Sequence, residues 1–439
     1  MYAAEHTYTQ EGGTINGLEG TDKTHSMNDN KITLGKEGGP TDKPQNTYGA
    51  ISAGGKKDTA EDVTGNTLII HGLRSANAGG YSFIYGGVSG TGAVTGNKVF
   101  FNNGYSADAV IGGYSASLTK SVSNNTVEVK AGKIEEDIIG GWSDKAASTG
   151  GVSGNKVVIS GGELGSHGAG IIYGARVTGN GLVTNNSVEF SNATSKKAVY
   201  GAAGDDAAST AVLKGNSVTI KSGTIQDSVA GGRSDGKGAV GGAEEGAGNR
   251  VVFENGAAGN LYGGQIDNAN STADVTGNSV TVKGGEYNEL YGGYTNGKGS
   301  ANKNTVTVDG GTSGEDVYGG YVKKTGNGSA TGNTVTVNAT TAGEDGLAKV
   351  YGGYSARNGN ASGNIVNING GKMLGIYGGY AENYNAYGTG TATGNTITIT
   401  GGTIGTGYGN GQVYGGHTTN SKATTGNTIN LGDGTNAMK

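Results

Sequence analysis

The chain has 439 residues, 92 of them glycine and 2 proline, with 33% hydrophobic and 15% charged residues and a formal net charge of −5. The glycines follow no Gly-X-Y period, which excludes collagen, and the absence of basic clusters argues against a nucleic-acid partner. Without cysteine there are no disulfide staples or thiol chemistry, and no run of 18 apolar residues offers a membrane-spanning helix.

Residues 1–29 carry no regular pattern and are expected to form a cap or lead-in segment. Met1-Tyr-Ala-Ala-Glu5 lacks the basic start and apolar stretch of a signal peptide, so the chain reads as a mature segment. From residue 30 onward an asparagine recurs with apolar residues two and four places later. The copies start at Asn30, Asn66, Asn97, Asn125, Asn155, Asn186, Asn216, Asn249, Asn278, Asn304, Asn333, Asn364, Asn395 and Asn427. Their spacing is about 30 residues, which means one structural unit stacked on copies of itself.

Asn333-Thr-Val-Thr-Val337 shows the logic of the first element. Side chains alternate along an extended strand, so Asn333, Val335 and Val337 share an inner face while Thr334 and Thr336 point outward. The β-branched residues suit a pleated surface and pin the register. A buried amide is costly unless satisfied, so the asparagines are expected to bond one another in a ladder. The left-handed conformation that a preceding Thr-Gly or Ser-Gly turn imposes is also one that Asn tolerates.

A glycine-rich turn follows, such as Gly310-Gly311, and then a second element: an aliphatic residue, usually tyrosine, two glycines and often another aromatic. Leu290-Tyr-Gly-Gly-Tyr294, Val317-Tyr-Gly-Gly-Tyr321, Val350-Tyr-Gly-Gly-Tyr354 and Ile376-Tyr-Gly-Gly-Tyr380 are regular copies. Val110-Ile-Gly-Gly-Tyr114, Ile138-Ile-Gly-Gly-Trp142 and Val413-Tyr-Gly-Gly-His417 are variants. Polar arcs of variable length return the chain to the next asparagine. Strands without helices, and crossovers too short for helices, predict an all-β parallel β-solenoid of about fourteen rungs over 30–431. Crossover chirality favours a right-handed coil. The segment 432–439 has no polar capping element and reads as a truncated or docking tail.

Thr331-Gly-Asn-Thr-Val-Thr-Val337 and Val317-Tyr-Gly-Gly-Tyr321 resemble the repeats in passenger regions of bacterial autotransporter adhesins, over roughly residues 30–431. The resemblance is one of repeat style, and it implies an extracellular or cell-surface β-helix carried by an outer-membrane barrel that this chain lacks. Its partners would be a host or neighbouring-cell glycan or protein. Self-association through the solenoid ends into filaments is the alternative.

Chemistry-bearing residues are sparse. The acidic clusters Glu135-Glu136-Asp137, Asp205-Asp206, Glu244-Glu245, Glu315-Asp316 and Glu344-Asp345 read as solvated turn charges rather than as the paired carboxylates of a polysaccharide-active enzyme. The histidines His6, His25, His71, His167 and His417 have no metal-ligand spacing. Gly405-Thr-Gly-Tyr-Gly409 is not followed by a helix pattern, so it is no phosphate loop. No catalytic, cofactor or metal site is expected.

Two repeated surfaces remain. Tyr262, Tyr291, Tyr318, Tyr351, Tyr377 and Tyr414, with Tyr294, Tyr321, Tyr354 and Tyr380, form a candidate binding face. If strand alternation holds, the first tyrosine of each copy faces out and the glycine pair lets a ligand approach the backbone. The competing expectation is a set of cross-rung ladders that stabilise one another. The Thr-x-Thr face, including Ser279/Thr281, Thr305/Thr307, Thr334/Thr336 and Thr396/Thr398, is interrupted by Glu128, Lys156, Glu189, Arg250 and Asn367 and reads as a solvated strand face.

Overall fold

A computed structural model of the chain describes residues 5–8, 14–18, 28–35, 45–75, 83–166, 170–243, 247–313, 315–323, 327–340, 347–383, 388–405, 411–420 and 422–432. Two compact units result, the first comprising 1–212 with 216–227 and the second 213–215 with 228–439. Each is a parallel β-solenoid, and no helix occurs among the described residues.

Every regular coil is built from three strands. A two-residue strand such as Val122–Ser123 or Ala330–Thr331 comes first. A turn residue with positive φ and the asparagine follow, then a four-residue strand such as Thr334–Val337. The third strand carries the glycine pair, as in Val317–Val322. Each type stacks on its own kind in the adjacent coil. Thr305 pairs with Thr334, Val306 with Val335 and Val308 with Val337. Tyr291 pairs with Tyr318 and Gly293 with Gly320.

All fourteen asparagine strands form, but the short strand that completes a coil occurs eleven times among the described residues, so there are about eleven full turns rather than fourteen. Strands Glu5–Tyr8 and Thr14–Leu18 within the expected N-terminal cap pair in parallel with Lys31–Leu34 and Gln45–Gly54. The tail 433–439 lies outside the described residues, as do Glu244-Glu245, Glu344-Asp345, His25, His167, the side chain of His6, and 406–410 of the glycine-rich string.

The inner residues form the narrow core that strand parity predicts. Val306, Val308, Val335, Val337, Phe101, Phe190 and Phe253 are all fully buried. At about 25 cal/mol per Å² of apolar area removed from water, this repeated column drives coil stacking.

One local expectation is corrected. The left-handed residue is not the ladder asparagine but its predecessor, as at Gly154 (φ 65°), Gly332 (φ 63°), Asn124 (φ 55°) and Asn185 (φ 57°). Glycine meets that backbone without a Cβ penalty and asparagine tolerates it. Lys303 (φ 53°) occupies the same position against its intrinsic preference.

Candidate functional site: the asparagine ladder and the tyrosine–glycine strip

The asparagines from Asn66 to Asn395 are completely buried. In the first unit each Oδ1 accepts from the backbone N–H and the Nδ2 of the asparagine one coil earlier, from Asn30–Asn66 through to Asn186–Asn216. The second unit repeats this from Asn249–Asn278 to Asn395–Asn427. From Asn97 to Asn395 each Nδ2 has a further acceptor on a short strand: Asn333 donates to the Ala301 carbonyl at 2.9 Å and Asn155 to that of Val122 at 3.1 Å. A side chain that is expensive to bury is thus satisfied at both ends of its amide.

The second glycine of each pair faces this ladder. A Cβ on Gly141, Gly264, Gly293, Gly320 or Gly353 would come within 3 Å of Asn155, Asn278, Asn304, Asn333 or Asn364 respectively. The first glycine is crowded by the next coil's backbone, as Gly319 is by the Gly352 carbonyl. The expectation that the pair opens the backbone to a ligand is therefore wrong: the glycines make room for the ladder amides. Ala175 and Ala202 stand in the same register, so those coils accommodate one methyl group.

The glycine pair also interrupts strand alternation. Tyr318 and Tyr321, three residues apart, meet edge to face with centroids 4.9 Å apart. The first tyrosines are consequently covered rather than presented to solvent. Tyr262, Tyr291, Tyr318, Tyr351 and Tyr377 are buried, whereas Tyr294, Tyr321, Tyr354 and Tyr380 are half-buried and Tyr414 is 38% exposed. The inner five are thereby corrected as members of an open binding face.

In the second unit the rings form two continuous stacks. Tyr262–Tyr291–Tyr318–Tyr351–Tyr377 runs at 4.9 to 5.0 Å between centroids with interplanar angles from 5° to 15°, and Tyr414 continues it at 5.3 Å. Tyr294–Tyr321–Tyr354–Tyr380 runs beside it at 5.0 to 5.5 Å, with His417 stacked on Tyr380 at 4.8 Å. Each aromatic pair contributes about 0.5–1.5 kcal/mol beyond its buried area.

Carboxylates and amides line the phenol edge. The Tyr318 hydroxyl donates to Asp316 at 2.8 Å, that of Tyr354 to Glu382 at 2.5 Å and that of Tyr377 to Gln412 at 3.0 Å. The Glu289 carboxylate lies beside the Tyr291 hydroxyl. Burial pushes the Tyr321 phenol up to about 12, and burial with neighbouring carboxylates raises Tyr291, Tyr318 and Tyr354 further still. Burial also raises Asp316, against the lowering influence of the Tyr318 hydroxyl.

The first unit fills the same strip differently. Ile111 and Ile139 replace two of the inner tyrosines, and Tyr114, Trp142 and Arg176 occupy successive outer positions. The Arg176 guanidinium lies 4.7 Å over Trp142 and 5.3 Å over Tyr173. It pairs with Asp137 at 3.0 Å and Asp205 at 2.6 Å. Asp137, Asp205 and Asp316 are therefore not solvated turn charges. Sequence reading missed this cluster, whose signal was an arginine at an aromatic position with acids one coil away on either side. An acidic or amide residue two places before the ring, as at Asn260, Glu289 and Asp316, was the corresponding signal for the phenol partners.

The outer Thr-x-Thr face is half-exposed, with threonines in register from coil to coil, as Thr305 on Thr334 and Thr307 on Thr336. Two of its charged interruptions in the first unit pair, Glu189 holding Lys156 at 2.6 Å, and Glu189 also meets Lys221, just past the strand Ser217–Ile220, at 3.4 Å. An open groove of about 650 Å³ in the second unit, lined in part by Val240, Asp274, Asn302 and Lys303, has only exposed charges. Among the described residues no cluster of His, Cys, Asp and Glu could hold a metal ion, and no helix is long and apolar enough to cross a membrane. Comparison with family models, curated proteins and solved structures finds no match to this chain.

Proposed function

We propose that this chain is an extracellular or cell-surface β-solenoid, the passenger or stalk of an adhesin, that makes multivalent contacts with a glycan or protein. The observation that supports this reading is the division of labour within each coil. Inner positions are spent on the asparagine ladder and aliphatic core, while the outward positions repeat similar small polar groups in register. Many weak contacts of one kind, held at coil spacing on a rigid scaffold, add through effective concentration. The repeat style shared with autotransporter passengers points the same way. Because the inner tyrosines are covered, the contact surface is assigned to the threonine columns, the half-exposed outer rings and the variable arcs.

The test is binding of the purified chain to arrays of surface glycans and extracellular proteins. Thr→Lys changes at Thr305, Thr334 and Thr396 together should weaken binding far more than any one of them. Equal loss from a single coil would indicate one discrete site. Concentration-dependent self-assembly without binding would favour a filament subunit.

A further inference from the structure

The two tyrosine stacks of the second unit combine features beyond the exposed edges of the outer rings that the adhesive reading uses. Rings lie nearly parallel on adjacent coils at about 5 Å, as in Tyr291–Tyr318 at 5.0 Å and 6° and Tyr354–Tyr380 at 5.0 Å and 2°. One buried and one half-buried phenol have carboxylate acceptors, Tyr318 on Asp316 and Tyr354 on Glu382. One stack continues to a ring that solvent reaches, Tyr414, at 38% exposure. The chain also has no cysteine with which to staple itself.

A phenol that gives up an electron becomes a strong acid and must release its proton. Tyrosine is therefore most easily oxidised where a base already accepts its hydrogen bond. Tyr318 and Tyr354 meet that condition, whereas an exposed tyrosine must find water. An electron removed at Tyr414 can be replaced from Tyr377 and then from Tyr351 and Tyr318, each ring in stacking contact with the next. The oxidised site thus moves inward, to the phenols that carboxylates have prepared.

We propose that this double ladder is a site of oxidative modification, at which a one-electron oxidant converts stacked tyrosines of adjacent coils into dityrosine. Two tyrosines each lose one electron to the oxidant and one phenolic proton to a neighbouring carboxylate or water. The two phenoxyl radicals join by a carbon–carbon bond between ring positions ortho to oxygen. The hydrogen displaced from each of those carbons returns to its own phenolic oxygen, restoring both aromatic rings. The net change is loss of two hydrogens per bond formed, with two equivalents of oxidant reduced. The product ties one coil covalently to the next, a staple that needs no thiol, and the inference does not depend on what the outer faces bind.

The full chain is tested at high dilution with photogenerated ruthenium(III) tris-bipyridine, with an unilluminated control. The expected product is a species of monomer size with dityrosine fluorescence, in a yield independent of protein concentration. Peptide mapping should place the bond between adjacent coils within Tyr291 to Tyr414. Replacing Tyr318, Tyr321, Tyr351 and Tyr354 together by Phe retains the rings and should lower the yield several-fold. Should that variant fail to fold, Asp316→Asn with Glu382→Gln leaves every tyrosine in place and should slow formation several-fold. Dityrosine found only in dimers, bonds mapped outside the ladder, or yields indifferent to these substitutions would overturn the proposal.

Discussion

The same register position is occupied by two different chemistries in the two units. In the second unit it starts with Ala230 beside the Arg233–Asp267 pair and then holds a run of tyrosines from Tyr262 to Tyr414 whose rings stack on their counterparts. In the first, isoleucines replace two inner rings and Arg176 bridges Asp137 and Asp205 against Trp142 and Tyr173. The asparagine ladder and glycine-lined backbone beneath are alike in both. The inner ladder therefore sets the coil, and the strip above it accepts whatever side chains cover one another well.

The sharpest way to break this comparison is to cut the ladder in each unit. Asn304→Leu removes the acceptor of the Asn278 backbone N–H and Nδ2, and the donor to the Val275 carbonyl. Asn155→Leu does the same to Asn125 and Val122. With each buried group left unpaired costing about 1–3 kcal/mol, both variants should lose about 3–5 kcal/mol. Solenoids open segment by segment, so peptide-resolved hydrogen exchange is the right measurement. Equal losses in the two units support a common frame. A large loss in one alone breaks it.

Arg176→Met probes the strip of the first unit and should cost about 1–3 kcal/mol at neutral pH, since the pair is only partly shielded from water. Burial already raises Asp137, and losing the opposing guanidinium raises it further. An acid whose folded pKa lies above its unfolded value of about 3.9 withholds stability once the unfolded chain can ionise. The deficit should therefore be small below about pH 4 and grow toward neutrality, as chemical denaturation across that range would show.

In the second unit, Tyr318→Leu should cost about 1–2 kcal/mol by removing two stacking partners. The unit should also be the first to open in alkali. Burial holds its Tyr291, Tyr294, Tyr318, Tyr321, Tyr351 and Tyr354 phenols above the ordinary value of about 10, Tyr321 at about 12, whereas the first unit has fewer such phenols, Tyr85, Tyr114 and Tyr173. Below about pH 10 both states keep their protons and nothing is lost. As pH rises past that point the unfolded chain ionises first and stability falls. Exchange that starts instead in first-unit peptides would contradict this assignment.

The smallest expected effect is a gain. Lys303→Gly relieves a left-handed lysine at a position where Gly332 shows the ordinary solution, and should stabilise its coil by about 1 kcal/mol. Part of that gain is returned to the greater freedom of the unfolded chain.

The solenoid was legible because period and parity are local properties of the chain. Asn333, Val335 and Val337 must share a face, and the stack must satisfy the amide. The cross-rung tyrosine ladder was legible as one of two competing expectations, and the ring stacks bear it out. The burial of the first tyrosines was not, because it depends on a break in strand alternation at the glycine pair that brings rings three residues apart together. Strand parity alone assigned Tyr291 and Tyr318 to solvent. Likewise Arg176 finds Asp137 and Asp205, 39 and 29 residues away, only once successive coils are laid side by side, which no nearest-neighbour pattern contains. Counting asparagines also overstated the complete turns, since a coil needs its short strand as well.

Peptide-resolved hydrogen exchange of the unmodified chain tests most directly whether the asparagine ladder, rather than the aromatic strip, holds the coils in register. The account predicts that the most protected amides are those of the asparagine strands and that protection is similar for Asn125–Asn186 and Asn304–Asn364. Strong protection confined to the second unit, following the tyrosine stacks rather than the asparagines, would contradict it.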